Sequence, residues 1–82
     1  MRSQLGLALD NVEAVLAGAE MTLADVVRLN IYTTDVDETL THFEVLVTRL
    51  EAAGVTPPST LLGVTRLAFP ELMVELEAIA EA

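Results

Sequence analysis

An α+β domain in two layers, a small mixed sheet covered on one face by two helices, is what the patterning of this chain predicts. Three observations carry it. Apolar residues recur at helical spacing near residues 5–16 and 40–50. They alternate, or run continuously, at strand length near 26–34, 60–67 and 72–80. The resulting order, α-β-α-β-β, supplies enough helix for one sheet face and none for the other. With 82 residues the chain forms a single domain, 1–82, able to bury roughly 60–65% of its unfolded surface.

The first helix is set by Leu5, Ala8, Leu9, Val12, Val15 and Leu16, with Gly18 expected as the residue that ends it. Asn11 lies beside that stripe and reads as a structural hydrogen-bonding residue. Thr22, with Asp25 three residues on, has the spacing of a cap and leads into "DVVRLNIYTT". That strand alternates Val27, Leu29 and Ile31 against Arg28, Asn30 and Tyr32. Asp35 with Glu38 has capping-box spacing and opens one long second helix, whose buried stripe is Leu40, Phe43, Leu46, Val47 and Leu50. Arg49 falls on its outer side, and Gly54 ends it. Pro57 and Pro58 exclude helix. "TLLGVTRL" and "LMVELEAIA" then read as two strands joined at Phe69-Pro70. The first two strands should be parallel through a right-handed crossover, and the last two an antiparallel hairpin.

In the final strand Leu72, Val74, Leu76 and Ala78 share one side, while Met73, Glu75, Glu77 and Ile79 share the other. The two glutamates stand roughly 7 Å apart. Together with Arg28, Asn30 and Tyr32 they occupy the uncovered sheet face, which is either a solvated surface or a site. Arg28 either pairs with Glu75 or Glu77 across the sheet or serves a ligand.

Composition points to self-association. Hydrophobic residues make up 52% of the chain, more than one small core absorbs, so a covered face between subunits is expected. Thirteen acids against four arginines and no lysine give a net charge of −9. Nucleic-acid backbones and anionic membrane surfaces are therefore poor partners. There is no cysteine, hence no disulfide framework or thiolate chemistry. No signal-peptide core or membrane-length apolar run occurs, and a cytoplasmic protein is expected. The four glycines are dispersed, so no phosphate-cradling loop is present. "DVDETLTHFEVL" starts like a calcium loop but has Leu40 at the turn position and Leu46 at the bidentate position; no metal site is expected. His42, the single histidine, reads as a surface partner of Glu38.

Three stretches, "QLGLALDNVEAVLAGAEMTLADVVRLNIYTTDVDE", "PPSTLLGVTRL" and "VELEAIA", together resemble the reactive-intermediate deaminase family, also called Rid or YjgF-type. They occur in the family's order and span nearly the whole chain. The resemblance implies a chorismate-mutase-like fold and a homotrimer with sheets inward, helices outward and small-molecule clefts between subunits. It also implies hydrolysis of imines and enamines to a keto acid and ammonia, with no cofactor of the protein's own. By the same resemblance Glu75 corresponds to the glutamate that orients the attacking water, and Glu77 to a second, structural acid. Ser59 stands where the family has a carboxylate-clamping arginine, so the charged fork is missing. Thr60 and Leu61 follow at the small-residue and cleft-lining positions, and Phe43 takes the place of a common asparagine. The resemblance also implies further strands ahead of this sequence that contribute to the cleft, so the chain is expected to be either a divergent, N-terminally truncated member or one whose Met1 is a fragment or start-site boundary. Two functional classes follow: a non-classical imine- or enamine-handling enzyme, with Ser59, Thr60, Leu61 and Arg28 around the substrate, or a non-catalytic trimeric scaffold or small-ligand binder.

Overall fold

The computed structural model describes residues 1–82. Helix α1 spans Arg2–Gly18, strand β1 Val26–Thr33, helices α2 and α3 Val36–Thr41 and Glu44–Ala52, and strands β2 and β3 Ser59–Gly63 and Val74–Ala80. A single 3₁₀ turn, Leu23–Asp25, precedes β1. Its cap is reciprocal, as the spacing predicts: Thr22 Oγ1 accepts from the Ala24 N–H at 3.2 Å, and the Asp25 carboxylate accepts from the Thr22 N–H at 3.0 Å.

The core forms where the odd residues of β1 meet the helices. Leu29 and Ile31 pack with Leu5 and Leu9 of α1, Leu46 and Leu50 of α3, and Val74 of β3. A smaller cluster of Leu16, Leu23 and Val26 closes the far end. Only 12 of 82 residues are buried, so most of the apolar content stays outside the core of one protomer.

The sheet order is β2-β1-β3. β1 and β2 are parallel, with Leu29 opposite Ser59 and Ile31 opposite Leu61, as the crossover predicts. The expected hairpin of the last two strands does not form. β3 instead lies antiparallel to β1 on its other side, with Tyr32 opposite Glu75 and Ile31 opposite Leu76. The physical reason is packing: beside β1, the apolar face of β3 sits beneath α1, whereas beside β2 it would lie away from that helix. Residues 64–73 form a long connection rather than a tight turn, and β2 ends at Gly63, short of the predicted Leu67. Gln4 of α1 fixes the lead-in to β3. Its amide donates to the Glu71 carbonyl at 2.9 Å and accepts from the Met73 N–H at 2.8 Å.

The second helix is also not continuous. Asp35 caps it, accepting from the Glu38 N–H at 3.0 Å, but it breaks at His42-Phe43 into α2 and α3. Thr39 and Thr41 each lie within hydrogen-bonding distance of the carbonyl four residues back, at 2.9 and 3.0 Å, a contact that bends helices. Around the break the bonds tighten to i→i−3, including Phe43 N–H to the Leu40 carbonyl. The change of phase puts Thr39 inside at 0% exposure and leaves Leu40 54% exposed, against the predicted stripe.

Both long helices end in the same motif. After α3, Gly54 takes φ 77°, its N–H reaches the Glu51 carbonyl and that of Val55 reaches Leu50, a Schellman pattern. After α1 the equivalent left-handed residue is Glu20, φ 61°, with Met21 N–H bonded to the Leu16 carbonyl at 2.8 Å. Gly18 therefore lies within the helix rather than ending it. Arg49 is not an idle surface residue: it bridges α3 to α1, donating to Asp10 at 2.8 Å, to the Gly6 carbonyl at 3.2 Å and to Glu13.

Candidate functional site

The outer sheet face is built from alternation in three strands. Arg28, Asn30 and Tyr32 of β1 are flanked by Thr60 and Leu62 of β2 on one side and by Glu75, Glu77 and Ile79 of β3 on the other. No helix covers this face, and Leu62 and Ile79 are 47% and 48% exposed.

Two hydrogen-bonded groups divide it. Asn30 Nδ2 donates to Glu77 Oε1 at 2.9 Å, and the Tyr32 hydroxyl donates to the same oxygen at 3.3 Å. Glu77 is thereby held by two neutral donors. Desolvation raises the Tyr32 phenol above its ordinary pKa, and Glu77 and Glu75 add to the rise, so the phenol remains a donor. On the other side Arg28 Nη2 donates to Thr60 Oγ1 at 2.6 Å. Arg28 shares the face with both glutamates but pairs with neither within the protomer. Its register partner on β3 is Ile79, beyond an irregularity between Val26 and Arg28.

Glu75 is the one acid on this face without a side-chain hydrogen bond or ion pair. It borders a groove of about 520 Å³ between α1 and the free edge of β3, where Gln4 and Asn11 supply the other polar side chains. Ser59 lies at the opposite edge. Its hydroxyl donates to the Pro57 carbonyl at 3.0 Å, and it borders a second hollow of about 170 Å³ between β1 and α3. Ser59 and Leu61 are in register with the helix-facing residues Leu29 and Ile31, whereas Thr60 is in register with outward Asn30. The predicted residues thus fall into three places: Ser59 with Leu61, Thr60 with Arg28, and Glu75 alone.

Their separation follows from the register. Ser59 is opposite Leu29 and Glu75 opposite Tyr32, so two strand spacings and three residue rises put their backbones roughly 14 Å apart. A small substrate cannot touch both in one chain. Sequence reasoning missed Glu51, which lies in the last turn of α3 and borders the Ser59 hollow; an exposed helical glutamate carries no signal of such a place. No group of three or more metal-ligating side chains converges, and no helix is long and apolar enough to cross a membrane.

Comparison with known proteins is decisive at the family level. Residues 1–82 match the family profile described as Endoribonuclease L-PSP. The chain belongs to the L-PSP, or YjgF/UK114, family. Among solved members of the YjgF/UK114 family, Rv2704 from Mycobacterium tuberculosis is 39% identical, with a TM-score of 0.83 over 92% of this chain and 62% of that one. A Vibrio vulnificus structure described as a putative translation initiation inhibitor is 29% identical, with a TM-score of 0.89 over 98% of this chain and 64% of its own. E. coli TdcF with bound serine is also 29% identical, with a TM-score of 0.81 over 90% and 58%. The chain therefore spans less than two thirds of the length of these YjgF/UK114-type proteins. No curated protein matches the sequence.

Proposed function

We propose that this chain is a non-classical member of its family that acts in the cytoplasm, binding and hydrolysing small imine or enamine metabolites without a cofactor in clefts between the subunits of a homotrimer. One observation carries the reading: unpartnered Glu75 borders a groove at one edge of the sheet while Ser59 borders a hollow at the other. A single small substrate meets both only where two protomers meet. The uncovered outer face, with Leu62 and Ile79 exposed, supports such an assembly.

In this reading the Glu75 carboxylate takes a proton from a water whose oxygen attacks the C=N carbon. That proton passes to nitrogen to give the carbinolamine; its hydroxyl proton is then transferred, through the same carboxylate, to the amino nitrogen as the C–N bond breaks and the C=O bond forms, and ammonia leaves a carbonyl product. Ser59 and Leu61 form the facing wall on the helix side of β2, while Thr60 and Arg28, hydrogen-bonded to each other on the outer face, are the pair available to a substrate carboxylate there. The nuclease and translation-inhibitor descriptions attached to relatives do not extend well to a chain of net charge −9.

A non-catalytic scaffold or small-ligand binder is the second reading, and Ser59 favours it. One neutral hydroxyl, already donated to Pro57, cannot replace a bidentate fork. Ammonia release from aliphatic imines, with and without a carboxylate, separates the two. Glu75→Gln should slow hydrolysis by about 10²-fold or more while light scattering still reports a trimer. Unchanged rates in that variant, or a clean monomer at micromolar concentration, refute the enzymatic reading.

A further inference from the structure

We infer that the hollow beside Ser59 takes a small aliphatic primary amine, with the alkyl tail inside and the ammonium at Glu51. The inference rests on the reading of the Ser59 edge as a ligand-holding wall, and it names the ligand class that this chain's own residues favour there.

Shape comes first. The hollow measures about 170 Å³, with Leu29 and Ile31 as its floor and Phe43, Leu46 and Leu50 as its wall. Apolar cavities of about 150 Å³ accept benzene, so the space suits an alkyl group of about five or six carbons. Phe43 contributes carbon surface here, where an amide would have offered hydrogen bonds.

Charge decides the headgroup. The polar lining residues are Glu51, Thr56 and Ser59, and Glu51 is the only ionisable one. Helix α3 ends at Ala52, so the negative end of its dipole lies beside Glu51. Arg49, the basic residue of that last turn, does not offset it, because its guanidinium reaches away to Asp10, Glu13 and the Gly6 carbonyl. Ser59 gives its one proton to the Pro57 carbonyl, leaving oxygen lone pairs that accept an ammonium N–H. The net charge of −9 adds long-range attraction for a cation and repulsion for an anion. The chemistry at this edge therefore selects the opposite charge from a carboxylate-clamping arginine.

The test compares three probes of matched shape, isopentylammonium, isopentanol and 4-methylpentanoate, titrated into the full chain and followed by methyl NMR. Isopentylammonium should saturate shifts of the Leu29, Ile31 and Leu46 methyls and bind about fivefold more tightly than the alcohol, as a partly exposed ion pair allows, with the carboxylate weakest. Glu51→Gln should bring amine and alcohol level, and Val47→Phe, at a lining position 39% exposed, should weaken all three. Equal or tighter carboxylate binding, or no probe moving those methyls, overturns the inference. Ammonia release from aliphatic imines is followed in parallel on the same unsubstituted protein. Amine binding without imine hydrolysis therefore removes the enzymatic reading alone, and hydrolysis without amine binding removes this inference alone.

Discussion

Thr33 and Thr39 are the two buried polar residues, each 0% exposed, yet valine should cost very different amounts at the two positions. The Thr33 hydroxyl donates to the Met73 carbonyl at 2.8 Å and accepts from the Asp35 N–H at 3.0 Å, tying β1, the lead-in to β3 and the cap of α2 together. Thr39 Oγ1 lies 2.8 Å from Thr33 Oγ1 and 2.9 Å from the Asp35 carbonyl, and its single proton serves one of them. In Thr33→Val the Asp35 N–H loses its side-chain acceptor, a penalty of about 1–3 kcal/mol, and the bond to Met73 is lost for about 1 more. In Thr39→Val no backbone group is orphaned, because the Asp35 carbonyl keeps the Thr39 N–H at 3.1 Å, and the loss is about 1 kcal/mol. Valine nearly matches threonine in volume, so neither variant opens a cavity. With a urea slope of about 1 kcal/mol per molar, the midpoint should fall by about 2–4 M for Thr33→Val and about 1 M for Thr39→Val, at fixed protein concentration. Equal shifts, or the reverse order, would refute this assignment of donors.

Arg49→Ala should destabilise the protomer by about 1–2 kcal/mol through two screened ion pairs and lost stem packing, more than Arg28→Ala, and Arg49→Lys should restore only part; thermal melts of the three variants test this. Glu20→Gly should stabilise by about 0.5–1 kcal/mol because an L-residue no longer holds the left-handed position after α1, read as a melting temperature several degrees higher. The pH profile should have two shoulders. A hydrogen bond from Arg2 lowers the folded-state pKa of Glu44 below its ordinary 4.5, so this stabilisation is present above that value and disappears as the pH falls through the folded one. Tyr32, raised above 10.0, stabilises below pH 10 and loses that contribution as the pH rises further. Arg2→Ala should soften the acid shoulder and Tyr32→Phe the alkaline one.

Local chemistry was readable from the residues, and competition between distant elements was not. The caps at Thr22 and Asp35, the parallel crossover and the alternation of β1 from Arg28 onward follow from spacings of a few residues, whereas Val27, expected inside, is 42% exposed and Val26 is buried in its stead, because the pairing irregularity between Val26 and Arg28 shifts the phase. The neighbour of β3 depends on where α1 lies over the sheet, which no local window contains. The helix break arises from two threonine side chains turned back on their own helix, invisible to an apolar stripe that runs unbroken from Leu40 to Leu50. Arg49 looked solvated because its partners, Asp10 and Glu13, lie on another helix. The candidate site divides in the same way: alternation placed Arg28, Glu75 and Glu77 on one face, but the distance between Ser59 and Glu75 is a product of sheet order.

The order β2-β1-β3 makes each protomer bivalent along its sheet. Two strands present unpaired backbone to the outside, one running with the central strand and one against it. Edge-to-edge pairing of β2 with another protomer's β3 would therefore join unlike surfaces, which close into a ring where the rotation between copies permits and otherwise propagate as a filament. Glu75, Glu77 and Glu81 line β3 or directly follow it, and their mutual repulsion between chains opposes β3-to-β3 pairing, while the prolines ahead of β2 shorten the other exposed edge. Low pH or high salt weakens the carboxylate guard, and under those conditions this sheet acquires the valence of a polymerising unit.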